Sequence, residues 1–325
     1  MNRRLCLALL GMIAALPAPL LAQQPNATRR LGVLSVAAAD DAIGQTRSMV
    51  LVEALAGHGW KERDNLRIDW RSGGGDRARM AQLADELIGL KPDILLAVGT
   101  PSVEELRRRT TAIPIVFAVV TDPVSQGFVE NLAHPGGNVT GFTDYDGPLA
   151  GKWLEMLTQV TPPVRRVFIV YNPETAPFAP LMLRTIEEAA KALRVAVEPA
   201  PVNDAGSIAA LAERKDGGFL VLPDFFTMAN RAQLLGTIGE ARLPAVFWSR
   251  TFVEEGGLMS YSTDSAEQLR RAAAYIDRIL KGAQAADLPV QNPTRFELTI
   301  NLKSAKALGV TLPAGLLAIA NDVIE

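Results

Sequence analysis

The chain has 325 residues, 48% hydrophobic, 21% charged and 6% aromatic, a composition that excludes disordered and collagen-like proteins. Single cores seldom grow past roughly 250 to 300 residues, so two packed units are expected. Lys and Arg number 33 against 35 for Asp and Glu, and the net charge of −2 lacks the basic field of a nucleic-acid binder.

Arg3 and Arg4 precede an apolar run from Leu5 to about Leu21, and Leu20-Leu21-Ala22 gives small-residue cleavage chemistry ahead of Gln23-Gln24. Residues 1–22 are therefore expected to be a secretory signal peptide. Pro17 and Pro19 break the run, whose clean stretch falls short of the roughly 20 residues a bilayer requires. Cys6, the single cysteine, lies inside the run and does not follow a cleavage point, so the expected product is periplasmic and not a lipoprotein. The mature chain then has no thiol, which removes disulfides, zinc–thiolate sites and cysteine nucleophiles and suits an oxidising compartment. It keeps 31 basic and 35 acidic residues, a charge of −4.

Along the mature chain, short β-rich runs alternate with helix-patterned segments. Strands are predicted over 30–36, 65–71, 93–98, 115–119 and 139–142, then over 166–171, 195–199, 218–222, 245–248 and 257–260. Helices are predicted near 41–58, 76–90, 101–110, 147–160, 177–193, 205–214, 228–241 and 264–281. Runs such as DILLAV and FLVL are apolar without alternation, as in strands covered on both faces by helices. The fold class is α/β with parallel sheets.

The halves look like copies of one plan. Residues 92–119 and 216–249 each read as an apolar strand, a short polar or Pro-containing turn, a helix, a Leu/Ile-Pro step and a second apolar strand. Two generic βαβ units would share that outline by coincidence. As a repeat, it means two similar lobes whose strand ends face one another across a cleft, where ligands of open α/β sheets gather.

Catalytic signatures are missing: there is no G-x-x-x-x-G-K-[ST], G-x-S-x-G or H-E-x-x-H, and the chain has only His58 and His134 as imidazoles. His58 reads as a helix C-terminus and His134 as part of a turn. Ser72-Gly73-Gly74-Gly75-Asp76 lacks phosphate-cradle spacing, and Asp76 reads as the cap of the next helix. No metal site, cofactor or covalent chemistry is expected.

Candidate binding residues stand at strand ends. Gly99-Thr100-Pro101-Ser102 follows DILLAV and opens a helix, where free N–H groups and hydroxyls can seat a carboxylate or simply cap the helix. Thr121-Asp122-Pro123 follows the next strand, and Ser35 ends the first. In the second half the corresponding positions are Tyr171-Asn172, Pro223-Asp224, Trp248-Ser249 and Ser260-Tyr261-Ser262. Asp224 stands where Thr100 stands in the first half. It reads either as an exposed cleft carboxylate or as a cap on the following helix. An anion seat opposite an acidic side chain would complement an α-amino acid. Tyr171, Phe225, Trp248 and Tyr261 could wall an apolar ligand or belong to the core.

These residues lie in a longer series, from RLGVLS through KPDILLAVGTP, IPIVFAVVTDPV, NLAHPGGNVTGF, GKWLEML, RLPAVF and FVEEGGLMSY to NPTRFELTINLKSAKALG and the closing NDVIE. Over nearly the whole mature chain it resembles the ABC-transporter substrate-binding protein family that includes tryptophan and aromatic-amino-acid uptake receptors. The resemblance implies the periplasmic binding protein type I fold, two Rossmann-like lobes joined by three hinge crossings. It implies a lobe of residues 28–143 plus 264–290 and another of 144–262 plus 293–325, with crossings near 142–147, 261–264 and 290–294. Gly99, Thr100, Pro101, Ser102, Thr121 and Asp122 match first-lobe motifs, and Asn172, Asp224 and Tyr261 second-lobe ones. The short, plain segment 37–40 and the Phe225-Phe226 pair depart from the pattern and put side-chain specificity in doubt.

The expected function is a monomeric, non-enzymatic receptor that binds a small molecule, an amino acid for preference, and delivers it to a separately encoded permease and ATPase. Nucleoside, sugar or small-carboxylate ligands and a ligand-presenting sensor subunit are the alternatives; an enzyme would need a base and nucleophile in the cleft, for which nothing stands at motif spacing.

Overall fold

The computed structural model describes residues 28–39, 41–145 and 147–325; the expected signal peptide, with Cys6, lies outside the described residues. In chain order the first part comprises β1 (Arg29–Ser35), α1 (Ala42–Gly57), β2 (Leu66–Ser72), α2 (Arg77–Gly89), β3 (Ile94–Val98), α3 (Thr100–Arg107), β4 (Ile115–Val120) and β5 (Val139–Thr143). The second comprises α4 (Gly147–Thr158), β6 (Arg166–Tyr171), α5 (Ala179–Leu193), β7 (Ala196–Pro201), α6 (Ala205–Ala209), β8 (Gly218–Val221), α7 (Phe225–Ala229), α8 (Arg231–Ala241), β9 (Ala245–Phe247), α9 (Arg250–Glu254) and β10 (Met259–Thr263). After α10 (Ser265–Leu280) come β11 (Phe296–Asn301), α11 (Leu302–Leu308), α12 (Ala314–Ala318) and β12 (Asp322–Ile324).

The strands form a five-stranded sheet in the order β2-β1-β3-β4-β5 and a seven-stranded sheet in the order β7-β6-β8-β9-β10-β11-β12. The first five strands of the larger sheet repeat the order of the smaller one, so the two similar sequence segments occupy equivalent places: β3-α3-β4 in one sheet, β8-α7-α8-β9 in the other. The sheets are parallel except at β10–β11, which pairs antiparallel. β11 and β12 were not predicted, and β10 begins two residues later than the pattern suggested.

The apolar runs are buried on both faces. In the small sheet, Leu31, Val33, Ile94, Leu96, Val116 and Ala118 pack with Leu51 and Leu55 of α1 and Leu269 and Ile276 of α10. The intervening residues, Leu34, Leu95, Ala97, Ile115 and Phe117, pack on the other side with Met80 and Leu87 of α2 and Val103 and Leu106 of α3. Because successive strand side chains point to opposite faces, a strand with a core on each side cannot alternate in polarity. Each large apolar side chain buried this way contributes about 1.5–3 kcal/mol. The large sheet has its own core, with Trp153 fully buried and its indole N–H donated to the Tyr261 carbonyl at 2.6 Å.

The chain passes between the sheets after Asp144 and Tyr145, at Asp264 and between Val290 and Phe296, and the three passages are bonded together. Asp144 accepts hydrogen bonds from the Thr263 hydroxyl and from Gln268 Nε2 at 2.9 Å. The Thr143 N–H donates to the Gln291 carbonyl at 3.0 Å, and its hydroxyl to Asn292 Oδ1 at 2.8 Å. Gln268 Oε1 in turn accepts from the Val119 N–H at 2.9 Å. Val119 has φ +60 beside a register shift between β4 and β5, which is unusual for a β-branched residue and marks an irregular end of β4.

Gly141, in β5 beside the first passage, has φ +155, and a Cβ there would lie 2.2 Å from the Phe117 carbonyl oxygen. Gly141→Ala should therefore destabilise the small sheet by roughly 3 kcal/mol, read as a lowered denaturation midpoint in urea.

Candidate functional site

The C-terminal ends of β3 and β4 face those of β8 and β9, and the strand-end candidates from both halves meet there. Thr100, Pro101 and Thr121 from the first sheet and Asp224, Phe225 and Trp248 from the second line one gap of about 20 Å³, room for about one water. Gly99 permits this approach. Its φ is +92, and a Cβ at that position would stand 2.8 Å from Val36 Cγ1 and 2.9 Å from Phe225 Cζ.

The polar groups at this junction are mostly spoken for. Ser102 is fully buried and its hydroxyl donates to the Val98 carbonyl at 2.9 Å, so it does not face a ligand as expected. The Thr100 hydroxyl accepts from the Thr121 N–H at 3.4 Å. Pro101 has no N–H and the N–H groups of Ser102 and Val103 turn back to the Gly99 carbonyl, so the start of α3 offers little to an anion. Asp122 accepts from the Ser125 N–H at 3.1 Å and shapes a turn. Asn172 accepts from the N–H groups of Glu174 and Thr175 at 2.8 and 3.2 Å. Tyr261 stacks on Phe296 at 5.5 Å within the large sheet, a core role in place of the expected ligand wall. Ser35 accepts from the Ala37 N–H at 3.2 Å, and Tyr171 packs against the core. Asp76 caps α2, His58 sits at the C-terminus of α1 and His134 lies in a loop, as the sequence suggested. Among the described residues no group of acidic, His or Cys side chains could hold a metal ion.

The roomier space adjoins that gap. A cavity of about 190 Å³ lies between Val36, Ala37, Ala38, Asp41, Arg47, Gly74 and Gly75 on one side and Phe225, Met228, Ala229, Arg231 and Trp248 on the other. The short side chains of Ala37 and Ala38, and the Gly74-Gly75 turn that donates from Gly75 N–H to the Val36 carbonyl at 2.9 Å, leave this space open. Its walls are apolar and aromatic, and Trp248 is packed edge-on against Phe225 at 6.5 Å and Tyr145 at 6.3 Å. Sequence reasoning found Trp248 and Phe225 but missed Arg47 and Asp41. Asp41 immediately precedes α1 and Arg47 lies in its second turn, and nothing in the local pattern distinguishes them from surface charges.

Asp224 is 2% exposed, so the helix-cap reading describes its surroundings and the exposed-carboxylate reading does not. It accepts from the Phe226 N–H at 2.9 Å, from the Asn172 N–H at 2.7 Å and from the Thr175 hydroxyl. Burial raises its pKa to about 6, opposed by those hydrogen bonds. Its folded-state pKa thus lies above the unfolded value, so its contribution to stability is fully present below about pH 4 and is lost as pH rises through about 6. Asp224→Ala should lower stability by about 2 kcal/mol at pH 5, because it removes a cap and orphans the Asn172 N–H, and should flatten the stability profile between pH 4 and 6. Denaturant unfolding across that range checks both effects.

The profile of the family described as ABC transporter substrate binding protein matches residues 33–324. A tyrosine-binding protein of Clostridioides difficile (strain R20291) is 26% identical over 260 residues, 79% of this chain and 74% of the relative. Among solved structures, the ABC domain in complex with L-Trp from Streptococcus pneumoniae is 25% identical with a TM-score of 0.84, covering 92% of this chain and 100% of that one. A periplasmic binding protein/LacI transcriptional regulator from Alkaliphilus metalliredigens QYMF, complexed with D-xylulofuranose, is 11% identical with a TM-score of 0.57 over 83% of this chain and 97% of that one, a likeness of fold alone. With two sheets of one topology, strand ends opposed across a cleft and a family match from Val33 to Ile324, this chain belongs to the ABC transporter substrate-binding proteins and has the type I periplasmic binding fold.

Proposed function

We propose that this chain is the extracytoplasmic receptor of an ABC importer and carries an aromatic amino acid in the cleft between its sheets to a separately encoded permease and ATPase. The observation that carries the reading is the cavity walled by Trp248, Phe225, Met228 and Val36, contributed by both halves of the chain. Its volume of about 190 Å³ is small beside the roughly 300–1,000 Å³ of drug-sized pockets and suits a single amino acid better than an oligosaccharide. Relatives that bind tyrosine or are complexed with L-Trp support the same class. Residues 1–22 act as a cleaved export signal, and the exported protein works as a monomer.

Residues 28–143 with 264–290, and 144–262 with 293–325, move as two lobes about the passages joined at Asp144. Gly99, Thr100, Pro101 and Thr121 from one lobe and Asp224 and Trp248 from the other close beneath the ligand, which stabilises the closed form by its greater affinity for it. The permease reads that form.

Thermal unfolding of refolded, ligand-stripped protein against aromatic and aliphatic amino acids, sugars and nucleosides tests the reading. At about 100 times its dissociation constant a true ligand adds about 2.7 kcal/mol, several degrees in midpoint. Tryptophan, tyrosine or phenylalanine should give this shift and contract the protein in small-angle scattering. A shift with sugars or nucleosides alone would overturn the ligand class, and binding without contraction would overturn closure.

A further inference from the structure

Arg47 stands out among the charged groups of the cleft. It is half-buried on α1 and borders the cavity, yet it makes one hydrogen bond, from Nε to the Ser265 hydroxyl at 3.3 Å, and no ion pair within 4.0 Å among the described residues. A guanidinium has five N–H donors in a planar fork, so most of its donor capacity is unused. Burial lowers its pKa, opposed by Asp144, Tyr145 and Asp41 acting at a distance. The other cation on the cavity wall, Arg231, is occupied by Glu255 at 2.8 Å and by the Met228 carbonyl at 3.1 Å.

Two further observations mark the same cavity. The indole N–H of Trp248, which is 5% exposed, is buried without a hydrogen-bond partner; such groups are rare and call for an acceptor. Asp41 is the N-cap residue of α1, but its side chain makes no capping bond, whereas Asp76, Asp204, Asp224 and Asp264 each cap their helices. Asp41 also lines the cavity and is half-buried. An under-used cation, an acidic side chain free of capping and the indole that carries an unpaired donor thus border one apolar space.

We propose that Arg47 binds the ligand's carboxylate and Asp41 its ammonium, so that this cavity selects α-amino acids with an apolar or aromatic side chain and rejects analogues lacking the carboxylate. This rests on the receptor reading above and names the poles of that site. It moves them from the start of α3 and from Asp224, where the sequence suggested them, to α1. Arginine suits the role because its fork matches a carboxylate in bidentate geometry.

The test is calorimetric titration of the ligand-stripped mature protein with L-tryptophan, L-tyrosine and L-phenylalanine, with tryptamine and tyramine, and with indole-3-propionate and 3-phenylpropionate. The wild type should bind at least one amino acid and bind its decarboxylated analogue about 100-fold more weakly or not at all. Arg47→Gln should weaken the amino acid by about 100-fold and leave no preference over the amine. Arg47→Lys, which keeps the charge without the fork, should lose less and guards against a folding defect. Asp41→Asn should weaken the amino acid roughly tenfold while hardly changing the propionates. If an amino acid binds wild type and both folded Arg47 variants equally, the inference falls and the receptor reading stands. If only the propionates bind, and through Arg47, the amino-acid reading and Asp41's role fall while the carboxylate pole stands. If no carboxylate binds the wild type, both fall.

Discussion

The arrangement depends on one buried carboxylate. Asp144 lies in the first passage between the sheets, is 4% exposed, and would be costly to bury unless its oxygens were satisfied. Burial pushes its pKa up, and the hydrogen bonds from Thr263 and Gln268, with the Arg47 charge, hold it down. Those partners are not interchangeable. Thr263 ends β10 at the second passage, and Gln268 lies in the first turn of α10 just beyond it. One side chain therefore ties together two of the three connections. The third is tied beside it, where Thr143 bonds to Gln291 and Asn292. A fully satisfied buried network of this kind is directional and fixes how the three connections sit relative to one another.

Gln268 extends that junction to the cleft. Its amide nitrogen binds Asp144 and its amide oxygen receives the Val119 N–H, so the amide is used in both senses. Val119 occupies a positive φ that a valine would not adopt unaided. The hydrogen bond that the Val119 N–H donates to Gln268 offsets part of that strain and fixes where β4 delivers Thr121. Thus the connection between the sheets and the floor of the cleft share one amide group.

Much of this was legible in the sequence because it is repetitive physics. Apolar runs without alternation announced strands covered on both faces, and the paired motifs at 92–119 and 216–249 correspond to equivalent units in two sheets of the same order. The caps at Asp76 and the turn at Gly99 were equally readable, since their residue types act on their immediate neighbours. β11 and β12 were not, because Phe296–Asn301 is a short, half-polar run that becomes a strand by pairing antiparallel to β10. The antiparallel step is a tertiary choice with no local signature. The site divided in the same way. Strand-end positions followed from the topology, but a polar side chain at a strand end does not say which way it turns: the Ser102 hydroxyl donates backward to the Val98 carbonyl and the Asp224 carboxyl accepts from the Asn172 N–H. Arg47 and Asp41 were invisible because their importance lies in the partners they lack, which only the folded chain reveals.

That lack also explains how a ligand could drive closure. Enclosing a guanidinium in a low-dielectric space is unfavourable unless an anion accompanies it, and its attraction to Asp144 and Asp41 from a distance offsets only part of the desolvation. With the cleft shut over Arg47 and no ligand in it, a partly desolvated cation has most of its donors unused among the described residues, and the Trp248 N–H has no acceptor among them. A carboxylate relieves the Arg47 penalty, and the aromatic walls add apolar burial to that gain. Because the walls come from both halves of the chain, the apolar term is largest when they are together, and in the proposed closure a ligand with both features would favour the closed form over the open one. A ligand with the apolar body alone would leave the buried charge uncompensated. If Arg47 holds the carboxylate as proposed, selectivity and closure draw on the same interaction: the molecule that best neutralises Arg47 while filling the space between Val36 and Trp248 is also the one that favours the closed form.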